Sequence, residues 1–258
     1  MKLRVILTLA FTLCFAYQIL AMPENSNPLS NKKVRQAIAY AIDMDTIQET
    51  LLEGKAIVAD SHIPNGPFKV AGLPKYAYDP DKARQLLREA NFDSSVEFDM
   101  VYYYSDQLTV DLMTAIQAYL ADVGVKMNFR QLQGDINAQL WTAPKDPRSG
   151  PSVVKWDMGY GAHGPLALQE YFSRYKTGEL SISPASSKLD QMIDTLVVTA
   201  EISEQKKIFF KIEKYMQEEL VTLPLYYQQA FIYESNKLNR NGGIYGNPQY
   251  NYDWDITK

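Results

Sequence analysis

Residues 96–132 constrain the fold more than any other stretch. Val96, Phe98, Met100, Tyr102 and Tyr104 stand at every second position, the spacing that puts side chains on one face of a strand. Asp106 can cap a following helix whose Leu112, Ile116, Leu120 and Val123 fall on one side, and Gly124 ends it. Val125 to Leu132 then returns as a second strand. A strand, a helix and a strand joined by short turns predict a βαβ unit with parallel strands and a right-handed crossover. The expected class is α/β.

The flanking segments fit that class. Ser30 is placed to cap a helix carrying Val34, Ala37, Ile38, Ala41 and Ile42 at helical spacing. Asp45 opens a second helix, with Gln48 as capping-box partner and Gly54 as its stop. From Ala56 to Tyr78, Pro64, Pro67, Pro74, Gly66 and Gly72 predict an extended loop. Asp79-Pro80 is an N-cap followed by proline at the first helical position, ahead of Ala83, Leu86, Leu87 and Ala90. A helix near Asp135–Trp141 and a strand near Val153–Met158 extend the alternating pattern. Two more helices, over Ser186–Ala200 and from Ser203 to Leu220, precede a strand candidate over Leu223–Glu234. Beyond Asn236 no amphipathic period remains.

The amino terminus allows two readings. Lys2 and Arg4 precede an uncharged apolar run from Val5 to Ala16, and Ala21 offers a small residue for cleavage, the pattern of a secretory signal. The same run also reads as a buried strand. Under the first reading the chain is exported, to the periplasm or the outer face of a membrane.

Composition narrows the chemistry. A net charge of −4 argues against nucleic acid, which needs a basic face for phosphates. One cysteine rules out an internal disulfide or a cysteine-built zinc site, and the two histidines, His62 and His163, leave any metal dependent on carboxylates. His62 lies in the proline-rich loop and is expected to be solvated. Asp43 and Asp45 straddle a helix junction and read as caps. No phosphate-cradling loop and no G-x-S-x-G elbow occur, so no metal, no cofactor and no catalytic residue is assigned.

One segment stands out. Trp156-Asp157-Met158-Gly159-Tyr160-Gly161-Ala162-His163-Gly164-Pro165 sets a Trp, a Tyr and a His among glycines at the carboxyl end of a candidate parallel strand, where open α/β sheets bind ligands. The expected ligand-binding residues are Trp156, Tyr160, Gly161, His163, Gly164 and Tyr171, with Trp156 mainly supporting the sheet. Gly159, Gly161 and Gly164 also match G-x-G-x-x-G, so a nucleotide-binding enzyme is an alternative reading.

Three segments in order resemble a known family. Asn27 through Asp43 resembles the signature helix of the extracytoplasmic solute-binding proteins of family 5, the oligopeptide, dipeptide, nickel and oligosaccharide receptors of ABC importers. Tyr78 through Ala90 resembles the family's next helix, and Leu223-Pro224-Leu225-Tyr226-Tyr227 its late strand. The resemblance implies a periplasmic-binding-protein-like lobe of class II type over residues 22–234. Residues 235–258 would form a tail returning to a first lobe that is mostly lacking, because the family's chains are about twice as long. Residues 1–21 are then a signal peptide or a truncated strand. It implies a binding protein and no enzyme, with a permease and an oligopeptide or oligosaccharide as partners. Peptide-binding members often carry an Asp shortly after the Trp-containing strand. Gly164 to Leu168 has no acid, which favours an uncharged or sugar-like ligand. A surface adhesin with the same fold is the remaining alternative.

Overall fold

The computed structural model describes residues 3–6, 16–21, 28–63, 68–143, 145, 155–163, 172–228, 232–235, 238–239 and 255–256. Its centre is a six-stranded mixed sheet built from β2 (Ala16–Ala21), β3 (Ala56–Val58), β4 (Glu97–Tyr102), β5 (Lys126–Gln131), β6 (Met158–His163) and β7 (Thr222–Gln228), in the order β3-β7-β2-β6-β4-β5. β4 pairs in parallel with β5 and with β6, as the βαβ unit requires, with α4 (Gln107–Asp122) as the crossover. β2 runs antiparallel between β6 and β7, and β3 closes the opposite edge. The sequence from residue 16 to 21 therefore lies in the middle of the sheet, where Ile19 is buried. β1 (Leu3–Ile6) pairs with β8 (Ile232–Ser235), and β9 (Leu238–Asn239) with β10 (Asp255–Ile256), each as a separate two-stranded ribbon. Among the described residues no helix is long and apolar enough to cross a membrane.

Helices α1 (Lys32–Ala41), α2 (Met44–Thr50), α3 (Pro80–Glu89) and α4 pack against the sheet. Their buried side chains Val34, Ile38, Ile47, Leu86, Leu112 and Ile116 join Ile19, Phe98, Met100, Tyr160 and Tyr226 in the main core. α5 (Ser187–Val198) and α6 (Ile202–Glu219) form a hairpin around a second core of Ile63, Phe172, Leu189, Ile193, Phe209 and Met216. α6 ends on Leu220 at φ 47°, a left-handed cap usually given to glycine. Burial of the Leu220 side chain holds that conformation.

Local chemistry shifts several expected boundaries. Asp79 and Asp106 cap their helices as expected, and Ser186 caps α5. Asn31, not Ser30, caps α1 by accepting from the Lys33 amide. Asp43, not Asp45, caps α2, accepting from the Thr46 amide at 3.0 Å, and Asp45 sits inside the first turn. The expected Leu223–Glu234 strand is represented by β7 and β8, with residues 229–231 outside the described residues. The Ala56–Tyr78 loop contains β3, which the later glycines and prolines mask. Of the strand expected over Val153–Met158, residues 153–154 lie outside the described residues, 155–157 are not strand, and β6 runs from Met158 through the glycines to His163. Gly159-Tyr160-Gly161 is therefore sheet and not loop. That removes the flexible phosphate cradle on which the nucleotide reading rested.

Candidate functional site

β4, β5 and β6 end together, and an aromatic shelf occupies that end. Tyr103 and Tyr104 follow β4 directly, their rings 4.3 Å apart and their hydroxyls 2.9 Å apart. The Ala162 amide on β6 donates to the Tyr104 hydroxyl at 2.9 Å, and Gln131 at the end of β5 donates through Nε2 to the Tyr104 carbonyl at 3.1 Å. Trp141 closes the shelf from the turn at Asn137–Trp141, edge-on to Tyr103 at 6.2 Å. All three rings are half-buried. Gly161 makes this possible, because a Cβ there would stand 3.3 Å from the Tyr103 ring. The shelf side chains carry no formal charge. Chemically it offers flat apolar faces with oriented hydroxyl and amide groups, a surface for stacking and hydrogen bonding.

The expected site residues fall in different places. Gly161 belongs to the shelf. Tyr160 is 3% exposed, contacts the Tyr226 hydroxyl with its own at 2.8 Å, and lies edge-on beneath Tyr104 at 5.8 Å. It underlies the shelf from the core. Trp156 is buried with Val101, Leu132 and Leu140, its ring so close over Gly159 that a Cβ there would meet it at 2.9 Å. His163 is the last residue of β6, paired with Ala16. Gly164 and Tyr171 lie outside the described residues, as does the His163 side chain. Tyr103, Tyr104, Gln131 and Trp141 were not anticipated as contacts. The Tyr102–Tyr104 run at a strand's carboxyl end was the available signal.

A second polar group lies between the 60–63 segment, α6 and β7. His62 is fully buried, contrary to the solvated loop residue expected, because α6 and β7 cover it. Its Nε2 is 2.7 Å from the Thr222 hydroxyl, and its Nδ1 is 3.9 Å from Glu213 Oε1 on α6. Burial pushes His62 down to about 3 and Glu213 up to about 8, the latter opposed by the Lys69 charge. At neutral pH both groups are therefore uncharged, and the contact is not an ion pair. Lys69 pairs with Asp60 and donates to Ser61 Oγ at 2.9 Å and the Ile63 carbonyl at 3.0 Å. The Tyr227 hydroxyl donates to the same carbonyl at 3.0 Å, and burial raises its pKa. Among the described residues no three acids, histidines or cysteines cluster as a metal site.

Residues 11–176 match the family model described as bacterial extracellular solute-binding proteins, family 5 Middle. The chain belongs to this family. The family is one of binding proteins, not enzymes. The glutathione-binding protein GsiB of Pectobacterium atrosepticum is 31% identical over 43% of this chain and 22% of its own length. The nickel-binding periplasmic protein of Escherichia coli is 22% identical over 85% of this chain and 44% of its own. The oligopeptide-binding protein AppA of Bacillus subtilis, solved with a nonapeptide, superposes with a TM-score of 0.72 at 19% identity. That superposition covers 100% of this chain and 52% of AppA. The chain thus spans about half of that solved relative, and the fold is half of a class II binding protein.

Proposed function

We propose that this chain is the carboxy-terminal lobe of an ABC-importer receptor, acting outside the membrane and performing no chemistry. It would hold a short peptide or a small metal complex against the Tyr103–Tyr104–Trp141 shelf. The observation that carries this reading is the half-buried shelf at the carboxyl ends of β4, β5 and β6. In open α/β sheets that end is where ligands are received. GsiB and the nickel-binding protein, by their names, bind glutathione and nickel. AppA carries a nonapeptide, so peptides and metal complexes take precedence over the oligosaccharides that the missing acid suggested. The importer permease is the expected partner. Strand β2, in the middle of the sheet, supports the strand reading of residues 16–21 over a removable leader there.

The test is calorimetry of the chain and its Tyr103→Ala variant against a tripeptide pool, a nickel–histidine chelate and a maltooligosaccharide pool. Peptide or chelate binding that weakens about tenfold in the variant, roughly 1.4 kcal/mol, supports the reading. Unchanged binding in the variant, or binding of the sugar pool alone, refutes it. One open face cannot enclose a ligand, so the chain alone is expected to bind near the millimolar range, about −4 kcal/mol.

A further inference from the structure

α6 is covered on one side. Phe209, Ile212 and Met216 point into the second core, and Glu213 is buried beside them. Lys207, Phe210, Lys211 and Lys214 recur at the three- and four-residue spacing that lines them along another side of the helix. All four are exposed, the Lys207 and Lys214 side chains at 67% and 66% and Phe210 at 39%. A groove of about 450 Å³ runs between this side and the 70–74 segment. Val70 and Leu73, both half-buried, contribute apolar surface to one wall, and Phe210 contributes to the other.

The charge of this face opposes that of the whole. From 203 to 218 the helix holds four lysines against three glutamates, and one of those, Glu213, is on the buried side. The chain as a whole carries −4. Glu204 pairs with Lys207 at 2.7 Å and Glu218 with Lys214 at 3.7 Å. Lys206 lies over the Phe68 ring at 5.4 Å. Lys211 and the neighbouring Lys75 have no ion pair among the described residues. Apolar exposure gathers here too. Of the seven large apolar side chains open to water among the described residues, Val197, Val198, Ile202 and Phe210 all belong to the α5–α6 hairpin.

We propose that this face of α6 docks the chain on an anionic bilayer surface, its lysines against lipid phosphates and Phe210 with the 70–74 segment in the interfacial layer. A helix that sets lysines beside exposed aromatic and aliphatic groups suits the plane of a bilayer interface, and each lysine near an anionic surface adds attraction. A partner that was merely acidic would satisfy the lysines and leave Phe210, Val70 and Leu73 in water. A merely apolar partner would leave the lysines without counter-charge. The negative charge of the rest of the chain opposes approach by other faces, so it selects this one. None of these residues belongs to the aromatic shelf, and the inference does not rest on the function proposed for it.

The test is co-sedimentation of the full chain with phosphatidylcholine vesicles, pure or with about one part in four phosphatidylglycerol. Binding to the mixed vesicles is expected to be at least about tenfold tighter than to the pure ones, and to weaken as salt rises from about 0.05 to about 0.5 M. Lys211→Glu with Lys214→Glu should lose about tenfold or more on the mixed vesicles, and Phe210→Ser a smaller factor. A control pair, Lys55→Glu with Lys126→Glu, changes the net charge equally at exposed positions off this face and should bind nearly as the parent does. All these variants keep the apolar amino-terminal run. Binding through that run would survive in the groove pair and overturn the proposal. Equal losses in the two pairs, equal binding to pure phosphatidylcholine, or no binding at all also overturn it. So does capture of polyglutamate without vesicle binding, which would assign the face to an acidic polypeptide. Because the substituted side chains are exposed, each variant should melt as the parent does. If the double reversal does not, Lys211→Gln with Phe210→Ser gives the same readout.

Discussion

The aromatic shelf and the His62–Glu213 group solve opposite problems with similar materials. Each gathers polar side chains from strand and helix ends that are distant in sequence. At the shelf the polar atoms are neutral and hydrogen-bonded, and the rings are half-buried. In the His62–Glu213 group the side chains are ionisable and no face is open. Burial there has forced both groups into their uncharged forms. A surface meant for contact keeps its groups paired and accessible, whereas a buried junction gives up charge in order to close. The shelf should therefore tolerate truncation with little loss of stability, and the junction should not.

The largest effect is expected from His62→Ala. It leaves Glu213 and the Thr222 hydroxyl without their buried neighbour and opens a cavity between α6 and β7, a loss of about 3–5 kcal/mol. Urea unfolding followed by circular dichroism measures it. A loss below about 1 kcal/mol would mean that the junction is hydrated and adaptable, and the contrast with the shelf would fail. Trp156→Ala belongs to the same range, because the ring is buried against Gly159 and Leu132 beneath the shelf.

A smaller effect comes from pH. His62 titrates at about 3 when folded against 6.5 ordinarily, so the unfolded chain binds more protons between those values and stability rises with pH across them. Glu213 titrates at about 8 when folded against 4.5 ordinarily, so the folded chain binds more protons there and stability falls as pH rises. The two slopes cancel between 4.5 and 6.5, leaving this junction's contribution flat. From 6.5 to 8 only the fall remains, roughly 2 kcal/mol in all. Glu213→Gln should abolish that alkaline decline while retaining stability at pH 6, and melting curves at pH 6 and 8 on both chains decide it. An unchanged decline in the variant would assign it to other groups.

The two regions also differ in how far the sequence disclosed them. The βαβ unit and the caps at Asp79 and Asp106 depend on neighbours within a few residues, so they were legible. The glycines at 159 and 161 marked a close approach, but not what approached. Trp156 and Tyr103 fill those spaces only because β6 lies beside β4, and that register is not a local property. His62 carried the opposite signal, since a loop rich in proline and glycine suggests solvent. Its burial comes from Thr222 and Glu213, more than 150 positions away in the chain. β3 was missed for a related reason. Three residues are too few for a period, and only pairing with β7 makes them a strand.

The Tyr160–Tyr226 hydroxyl contact gives the next step down, since it is buried directly beneath the shelf. Tyr160→Phe keeps the ring and removes one partner of a buried hydrogen bond, at about 1 kcal/mol. Tyr160→Ala would instead open the core at about 3–5 kcal/mol, the signature of a support and not of a contact residue.

The smallest effect on stability is expected at Tyr103 itself. Its ring is half-buried, its hydroxyl meets that of Tyr104, and Tyr104 keeps the Ala162 amide when Tyr103 is gone. Tyr103→Ala should cost less than about 1 kcal/mol of unfolding free energy. Gly161→Ala moves the same ring from the other side, because the added Cβ meets it at 3.3 Å. The ring can yield by tilting away from β6, so this variant should also melt near the parent temperature while the shelf changes shape. Tyrosine fluorescence and thermal melting of the pair measure both consequences. Altered fluorescence with unchanged melting is the behaviour of a surface built for contact. A drop in stability comparable with that of His62→Ala would make the shelf a second closed junction and erase the distinction between the two regions.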